Sequence, residues 1–320
     1  MEMIHEQGFE GDYFVSPFWS SSSTYAWNSE LAVRLNLMLE AIAPDVIVFD
    51  GTWPFQGLRA VCMQRRNIGL IWSNRGRLKE GVKRPPVEDS FFDLILEPGE
   101  IGTSIEDAVV GNTRKMRVPP VCLLESSEFL GREQAREALS LPQHERWVLF
   151  VLGPGNLKDV SGIGQGLIED FQKRGFQVAW AQPPISVQDV ELPEGVRPLS
   201  LYPLAQYLNA FDYFVSAAGY NACCEALQAG IPTLFVPNNL LSDDQQGRAQ
   251  FMTTVMPAVV DDCETPQARH NAVDALLRLS ESCDLGIGVA ESVRMDGASL
   301  GAKAILEAAQ KRMQMRVTHA

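Results

Sequence analysis

The chain has 320 residues, 46% of them apolar and 21% charged, and a formal net charge of −13. That length exceeds what one hydrophobic core usually fills, so two α/β domains are expected. The acidic balance argues against nucleic acid as a partner, and no run of about 18 uncharged apolar residues offers a membrane-spanning helix.

The opening residues, Met1 to Gln7, lack the basic and apolar regions of a secretory leader, so a cytoplasmic protein is expected. Ser20–Thr24 is of low complexity and reads as a flexible loop. Ser29–Ala43 is apolar at helical spacing (Leu31, Leu35, Leu37, Leu39, Ile42), and Pro44 ends it. Val46–Phe49, Ile68–Trp72 and Leu94–Leu96, with a weaker Val121–Leu124, read as short buried strands. Helix followed by strand, repeated, points to a parallel sheet. Between Arg59 and Arg84 stand eight basic residues (Arg59, Arg65, Arg66, Arg75, Arg77, Lys79, Lys83, Arg84) and one acid, Glu80. They form either a solvated face or a patch toward an anionic acceptor or a membrane surface.

The polar, proline-containing run Leu141–Arg146 reads as an inter-domain linker. After it come strand Trp147–Leu152, the loop Gly153-Pro154-Gly155-Asn156 and a helix to about Lys173. Strands Val178–Ala181 and Val196–Leu201 follow, then helix Leu204–Ala210, strand Tyr213–Ser216, helix Tyr220–Ala229, strand Thr233–Val236 and helix Asp243–Thr253. That is a doubly wound α/β pattern. The last helix, about Ser299–Met315, is expected to cross back and brace the first domain. The predicted division is 1–143, 144–298 and 299–320. The six cysteines (Cys62, Cys122, Cys223, Cys224, Cys263, Cys283) are scattered and form no Cys-x-x-Cys pair, so they read as reduced, buried thiols.

The chemistry is concentrated between Phe214 and Ala249. A buried strand ends at Ser216, Ala217, Ala218 and Gly219 allow a tight turn, and a helix begins at Tyr220 and Asn221. The free amides of that first turn form an anion site with the helix dipole, and Gly219 lets a phosphate approach the backbone. Glu225, six residues on, could accept hydrogen bonds from two ribose hydroxyls. Gly230-Ile231-Pro232 stops the helix. Asp243, Asp244 and Gln245 emerge at the carboxyl edge of the sheet, where open α/β sheets bind ligands, and an acid beside an amide suits sugar hydroxyls.

This run resembles the donor-binding motif of glycosyltransferase family 28, within the GT-B glycosyltransferases that include the lipid-II-forming N-acetylglucosaminyltransferases and, more distantly, the UDP-glycosyltransferases. The shared pattern is Ser-x-x-Gly, a Glu six residues after the Gly, Gly-x-Pro, then Asp-Gln and Arg/Asn-Ala. It is strong over about 35 residues and extends in outline over 145–300. The resemblance implies two Rossmann-like domains, the N-terminal one incomplete. It implies that Ser216, Ala218, Gly219, Tyr220 and Asn221 surround the donor diphosphate, that Glu225 binds the ribose, and that Asp244 and Gln245 bind the transferred sugar. The loop carrying Gly153, Gly155 and Asn156 takes the place of the family's Gly-Ser-x-Gly loop, without its serine. The base would lie near Leu201–Leu204.

Ala43–Trp53 is similar to the family's Pro-Asp-Val-Val-Val strand, which places Asp50 at the inter-domain cleft as the general base or the acid that orients one. The other reading makes Asp50 a cap of the turn with Gly51. The family's first strand and its Gly-rich loop with a His have no counterpart here, and His5, His144, His270 and His319 are poorly placed as bases. Either the gene start is truncated or the missing part is supplied by a partner or not needed. An incomplete sheet leaves an edge prone to pair with a partner chain or a second copy.

The expectation is an inverting, metal-independent hexosyltransferase using a nucleotide-diphosphate sugar, uridine-based, with no cofactor and an unidentified hydroxyl acceptor. The rival is a non-catalytic nucleotide-sugar-binding subunit. A sugar-nucleotide epimerase or hydrolase on the same fold is a third reading.

Overall fold

A computed structural model describes residues 4–5, 7–17, 19–65, 67–74, 81, 89–152, 160–182, 192–239, 243–282 and 293–318. Gly153, Gly155, Asn156, Cys283, His319 and most of the basic segment (Arg66, Arg75, Arg77, Lys79, Lys83, Arg84) lie outside the described residues. The strands form two sheets. The first contains β1 (Val46–Asp50), β2 (Gly69–Ser73), β3 (Leu94–Pro98), β4 (Glu106–Val110) and β5 (Thr113–Val118), in the order β1-β2-β3-β5-β4. All its pairings are parallel except β4 with β5.

Helix α1 (Thr24–Ile42) starts five residues earlier than the apolar spacing suggested, because the Ser23 hydroxyl caps it by accepting from the Ala26 amide at 3.2 Å. The serine-rich patch expected to be a loop therefore supplies a helix start. Ala43 adopts a left-handed conformation (φ 48°) and ends α1 just before Pro44. Helix α2 (Gln56–Gln64) packs on α1 through Val61 and Leu39.

The expected strand at Val121–Leu124 is absent: that stretch is a connecting segment. The sheet is completed instead by β4 and β5, joined through Gly111 and Asn112. Neither strand is an apolar run, and their charges pair across the hairpin. Arg114 reaches Asp107 at 2.7 Å and Arg117 reaches Glu106 at 2.8 Å.

The second sheet contains β6 (Trp147–Val151), β7 (Gln177–Ala181), β8 (Val196–Leu199), β9 (Tyr213–Ser216), β10 (Thr233–Phe235) and β11 (Ala258–Val260). Its order, β8-β7-β6-β9-β10-β11, is that of a doubly wound nucleotide-binding sheet. Every pairing is parallel. Both faces are covered, so the strands read as continuous apolar runs. On one face lie α4 (Val160–Gln172) and α7 (Pro266–Ser282), through Leu167, Phe171, Val273 and Leu276. On the other lie α3 (Arg132–Ala138), α5 (Tyr220–Ala229) and α6 (Gln245–Met252), through Ala135, Ala226, Leu227, Ala249 and Met252. Each fully buried large apolar side chain contributes about 1.5–3 kcal/mol relative to exposure.

Because α3 packs in the second sheet's core, the chain crosses between sheets ahead of Leu141–Arg146, within 119–131. The polar run is pinned rather than free. The guanidinium of Arg136, fully buried, donates to the carbonyls of Gln143 (2.6 Å), Glu145 (2.9 Å) and Ala210 (2.8 Å) and to Asp212 (3.1 Å). Asp212 in turn accepts from the Trp147 amide at 2.7 Å, which sets the start of β6.

Helix α8 (Gly297–Thr318) does cross back. Leu300, Ala304, Ile305 and Ala308 pack on Ile71, Leu94, Leu96, Met116 and Val118 of the first sheet. A side chain at Gly297 would put a Cβ 1.9 Å from the Pro119 carbonyl oxygen, so only glycine fits there. Among the described residues no helix is long and apolar enough to cross a membrane. Cys223 and Cys263 are buried, and desolvation raises both thiols to about 12. Cys62 and Cys122 are only partly buried, which corrects the expectation that all are interior.

Arg136→Ala should destabilise the protein by about 3–5 kcal/mol, because it removes the buried donor of the Ala210 carbonyl, of the partly buried carbonyls of Pro142, Gln143 and Glu145, and one of the donors to Asp212. Arg132→Ala removes an exposed partner of the same carboxylate and should cost less than about 1 kcal/mol. Urea unfolding of both variants checks the contrast, and equal losses would refute it.

Candidate functional site

The doubly wound order reverses between β6 and β9, and the turn after β9 stands at that switch point. Its backbone closes tightly: the Gly219 amide donates to the Ala217 carbonyl at 2.7 Å. Ser216 is fully buried and its hydroxyl donates to the Ala217 carbonyl at 2.8 Å, so this side chain shapes the turn and does not face solvent. Ala218 is also buried. Gly219 is the N-cap of α5 with φ −66° and ψ 153°, which any residue adopts, and it brings no capping side chain. A Cβ built there meets nothing within 4 Å. The glycine is therefore not required by the backbone; it leaves open space in front of the helix. Helix geometry gives the Tyr220, Asn221 and Ala222 amides no partner within the helix, while the next amide, of Cys223, bonds the Gly219 carbonyl at 3.0 Å.

This turn opens into a cavity of about 1020 Å³ between the carboxyl ends of the two sheets. Gly219, Tyr220 and Asn221 line one side and Asp50, Ser73 and Glu97 the other, with the Gly297–Ile305 end of α8 between them. Asp50 closes β1 and accepts from the Ser73 hydroxyl, at the end of β2, at 2.9 Å. The strand register thus places a carboxylate across the cavity from the helix amides.

Glu225 lies on the second turn of α5. Burial pushes its carboxyl up to about 7, and among the described residues no side chain or amide donates to it. It sits on the side of α5 turned to the segment between the sheets, where Gln228 donates to the Leu124 carbonyl at 3.0 Å and the Cys122 thiol feels its charge. Gly219, Tyr220, Asn221 and Ala222 line the cavity, whereas Glu225 is not among its lining residues.

Asp244 and Gln245 are differently engaged from the expectation. Asp244 caps α6 by accepting from the Gly247 amide at 3.0 Å. Gln245 is 6% exposed; its Oε1 accepts from the Asn238 amide at 2.9 Å and its Nε2 donates to Asp243 at 3.1 Å. The acid that lines the cavity is the neighbouring Asp243, together with Arg248 and Glu100. Sequence reasoning passed over Arg248 and Glu100 as site residues. Arg248 was visible as the Arg of the Arg/Asn-Ala pair, whereas Glu100 had only a Pro-Gly-Glu turn after a strand to mark it. Gly153, Gly155 and Asn156, as stated, are outside the described residues. Among the described residues no group of three or more His, Cys, Asp or Glu side chains is placed to hold a metal ion.

No family model matches the chain. Among curated proteins it is 24% identical over 177 residues to the UDP-N-acetylglucosamine--N-acetylmuramyl-(pentapeptide) pyrophosphoryl-undecaprenol N-acetylglucosamine transferase of Listeria welshimeri, over 47% of this chain and 48% of that enzyme. The chain thus matches about half the length of that relative. Solved structures of the same shape include the glycotransferase of kitacinnamycin (TM-score 0.59, 17% identity, 96% of this chain and 88% of that one). They also include MurG of Acinetobacter baumannii (0.56, 12%, 96% and 87%) and the UDP-GlcNAc 2-epimerase of Neisseria meningitidis bound to UDP-GlcNAc (0.58, 11%, 96% and 88%). The fold is the two-domain Rossmann-like GT-B fold, and the chain resembles glycosyltransferase family 28.

Glu225 generates a pH signature. Its folded-state pKa of about 7 lies above the ordinary 4.5, so the folded protein holds a proton that the unfolded chain releases. Its ionisation costs stability increasingly as pH rises from about 4.5 to 7. Glu225→Gln should therefore stabilise the ligand-free protein by about 1–3 kcal/mol at pH 8 and by almost nothing at pH 4.5. Thermal unfolding at both pH values tests this; a gap between the two proteins that ignores pH contradicts the assignment.

Proposed function

We propose that this chain is a glycosyltransferase that moves a hexosyl group from a nucleotide-diphosphate sugar, uridine-based, to a hydroxyl acceptor, with inversion and without a metal. The observation that carries the reading is the start of α5: first-turn amides open on the inter-sheet cavity, a glycine leaves the space before them empty, and the Glu225 carboxylate stands on the next turn. The similarity to a family 28 enzyme over half its length supports it.

In this reading the amides of Tyr220, Asn221 and Ala222 receive the diphosphate, and Glu225 takes the ribose hydroxyls. Asp50, oriented by Ser73, removes the acceptor's proton as its oxygen attacks the anomeric carbon. The bond to the diphosphate breaks on the opposite side, and the helix amides stabilise the departing charge. The loop at Gly153–Asn156 completes the phosphate site, and the hexose lies beside the Asp243–Gln245 loop. The donor half, 144–298 from sequence, is here extended by α3. The acceptor half is 1–143 without α3, and 299–320 is its brace. The cytoplasm is the proposed location. Contact with an anionic membrane through Arg59–Arg84, and pairing of the β1 edge with a partner chain or second copy, are part of the same proposal.

The rival is a binding subunit that holds the nucleotide sugar and catalyses nothing. Thermal-shift titration with UDP, UDP-N-acetylglucosamine, UDP-glucose, GDP and dTDP tests donor binding. Ligand at about 100 times its dissociation constant adds roughly 2.7 kcal/mol of stability, and the shift should be uridine-selective and absent in Glu225→Ala. Gly219→Ala should change ligand-free stability by less than about 1 kcal/mol yet weaken UDP binding, since its methyl enters the phosphate space. No shift from folded protein with any nucleotide would sink the donor site.

Asp50→Asn separates the enzyme from the subunit. It should keep UDP affinity within about threefold while slowing sugar release from the UDP-sugar by about 10²–10⁴-fold. Wild-type protein that binds but releases sugar no faster than Asp50→Asn favours the subunit.

A further inference from the structure

The loop that follows β3, Gly99-Glu100-Ile101-Gly102, leaves the first sheet and enters the second. Ile101 is 5% exposed and belongs to the core cluster of the second sheet with Leu149, Phe214 and Met252. Gly102 stands at φ +81°, and a Cβ there would lie 2.8 Å from the Phe251 ring on α6. Beside it, the Tyr220 hydroxyl of α5 donates to the Gly99 carbonyl at 3.0 Å and accepts from the Val121 amide at 2.9 Å. At the centre is Arg248, on the first turn of α6 and 3% exposed. Its Nε and Nη2 form a two-pronged pair with Glu100 at 2.8 and 2.7 Å, Nη2 also reaches Asp243 at 2.8 Å, and Nη1 donates to the Ala218 carbonyl at 2.8 Å.

One guanidinium therefore bonds a residue of the loop after β3, a residue of the Asp243–Gln245 loop, and the backbone of the turn before α5. The Ala218 carbonyl belongs to the peptide that leads into Gly219, so fixing that oxygen fixes the plane of the peptide at the mouth of the anion site. Arg is suited to this because its fork is planar and rigid; a lysine could satisfy one of these acceptors but not all in that geometry.

We propose that Glu100 and Arg248 form a clasp beside the cleft, in which Arg248 is a positioning residue that sets the diphosphate-binding turn and Glu100, carried on the loop after β3, holds its guanidinium in that orientation. The clasp rests on the donor-site reading above. Without Glu100, Arg248 is left with Asp243, and the Ala218–Gly219 peptide loses its fixed orientation.

The test is UDP affinity by calorimetry on the full chain, with unliganded thermal unfolding measured in parallel. The variants are Glu100→Gln, Arg248→Lys, the double variant, and Ile101→Ala, which loosens the same interface without touching the guanidinium. Glu100→Gln and Arg248→Lys should each weaken UDP about tenfold or more, and the double variant should bind no worse than the weaker single one, as expected for one coupled unit. Ile101→Ala should lower the unfolding temperature at least as much as Glu100→Gln while holding UDP affinity within about threefold. Wild-type-like UDP affinity in folded Glu100→Gln, additive losses in the double variant, or an Ile101→Ala loss as large as that of Glu100→Gln each overturns the clasp. Wild-type protein that binds no UDP overturns the donor site itself, a failure distinct from a turn that binds UDP but is misset.

Discussion

Two parallel strands in one sheet can be joined only through a crossover, so all strands of such a sheet deliver their carboxyl ends to the same edge. Everything chemical in this molecule follows from that constraint. Asp50, Ser73 and Glu97 stand together because β1, β2 and β3 run the same way. The turn before α5 stands beside the end of β6 because the second sheet reverses its order there. The two edges face one another across the cavity, and the departure of β4 from the parallel rule carries no residue into it.

Charge makes that local arrangement matter. The chain as a whole is acidic by thirteen charges, so the long-range field repels a diphosphate rather than steering it. Any attraction for an anion at this turn comes at short range, from amides whose partial charges are fixed by the helix. The nearby cation Arg248 is already bound to two carboxylates and a carbonyl, so it orients the site more than it charges it.

The second sheet was legible because it is covered on both faces: Trp147–Val151 and Tyr213–Ser216 are uninterrupted apolar runs, and Gly219 and Gly230 bracket α5 at the positions where the structure starts and ends it. The first sheet was less so. Its β4–β5 hairpin lies at an edge and carries paired charges in place of an apolar run, and only the Gly111–Asn112 turn marks it. α1 began earlier than its apolar periodicity because its first turns are held by a serine cap. Sequence spacing placed Gly219 at the start of α5 and Glu225 on it, but of the two only Gly219 lines the cavity. Spacing could not tell that Gln245 turns inward and Asp243 outward, since adjacent polar residues in a loop carry no periodicity to assign their faces. Glu100 escaped because its partner is 148 residues away.

The seat of α8 bears on the order in which the molecule assembles. The second sheet is drawn from contiguous residues, 147–260, and its covering helices end by Ser282. One face of the first sheet, by contrast, is covered by Leu300, Ala304 and Ile305, docked through Gly297 against the carbonyls of Pro119 and Pro120. The strands that come earlier in the sequence thus have one apolar face that stays uncovered until α8 is in place, whereas the layers over the second sheet are drawn from residues no later than Ser282.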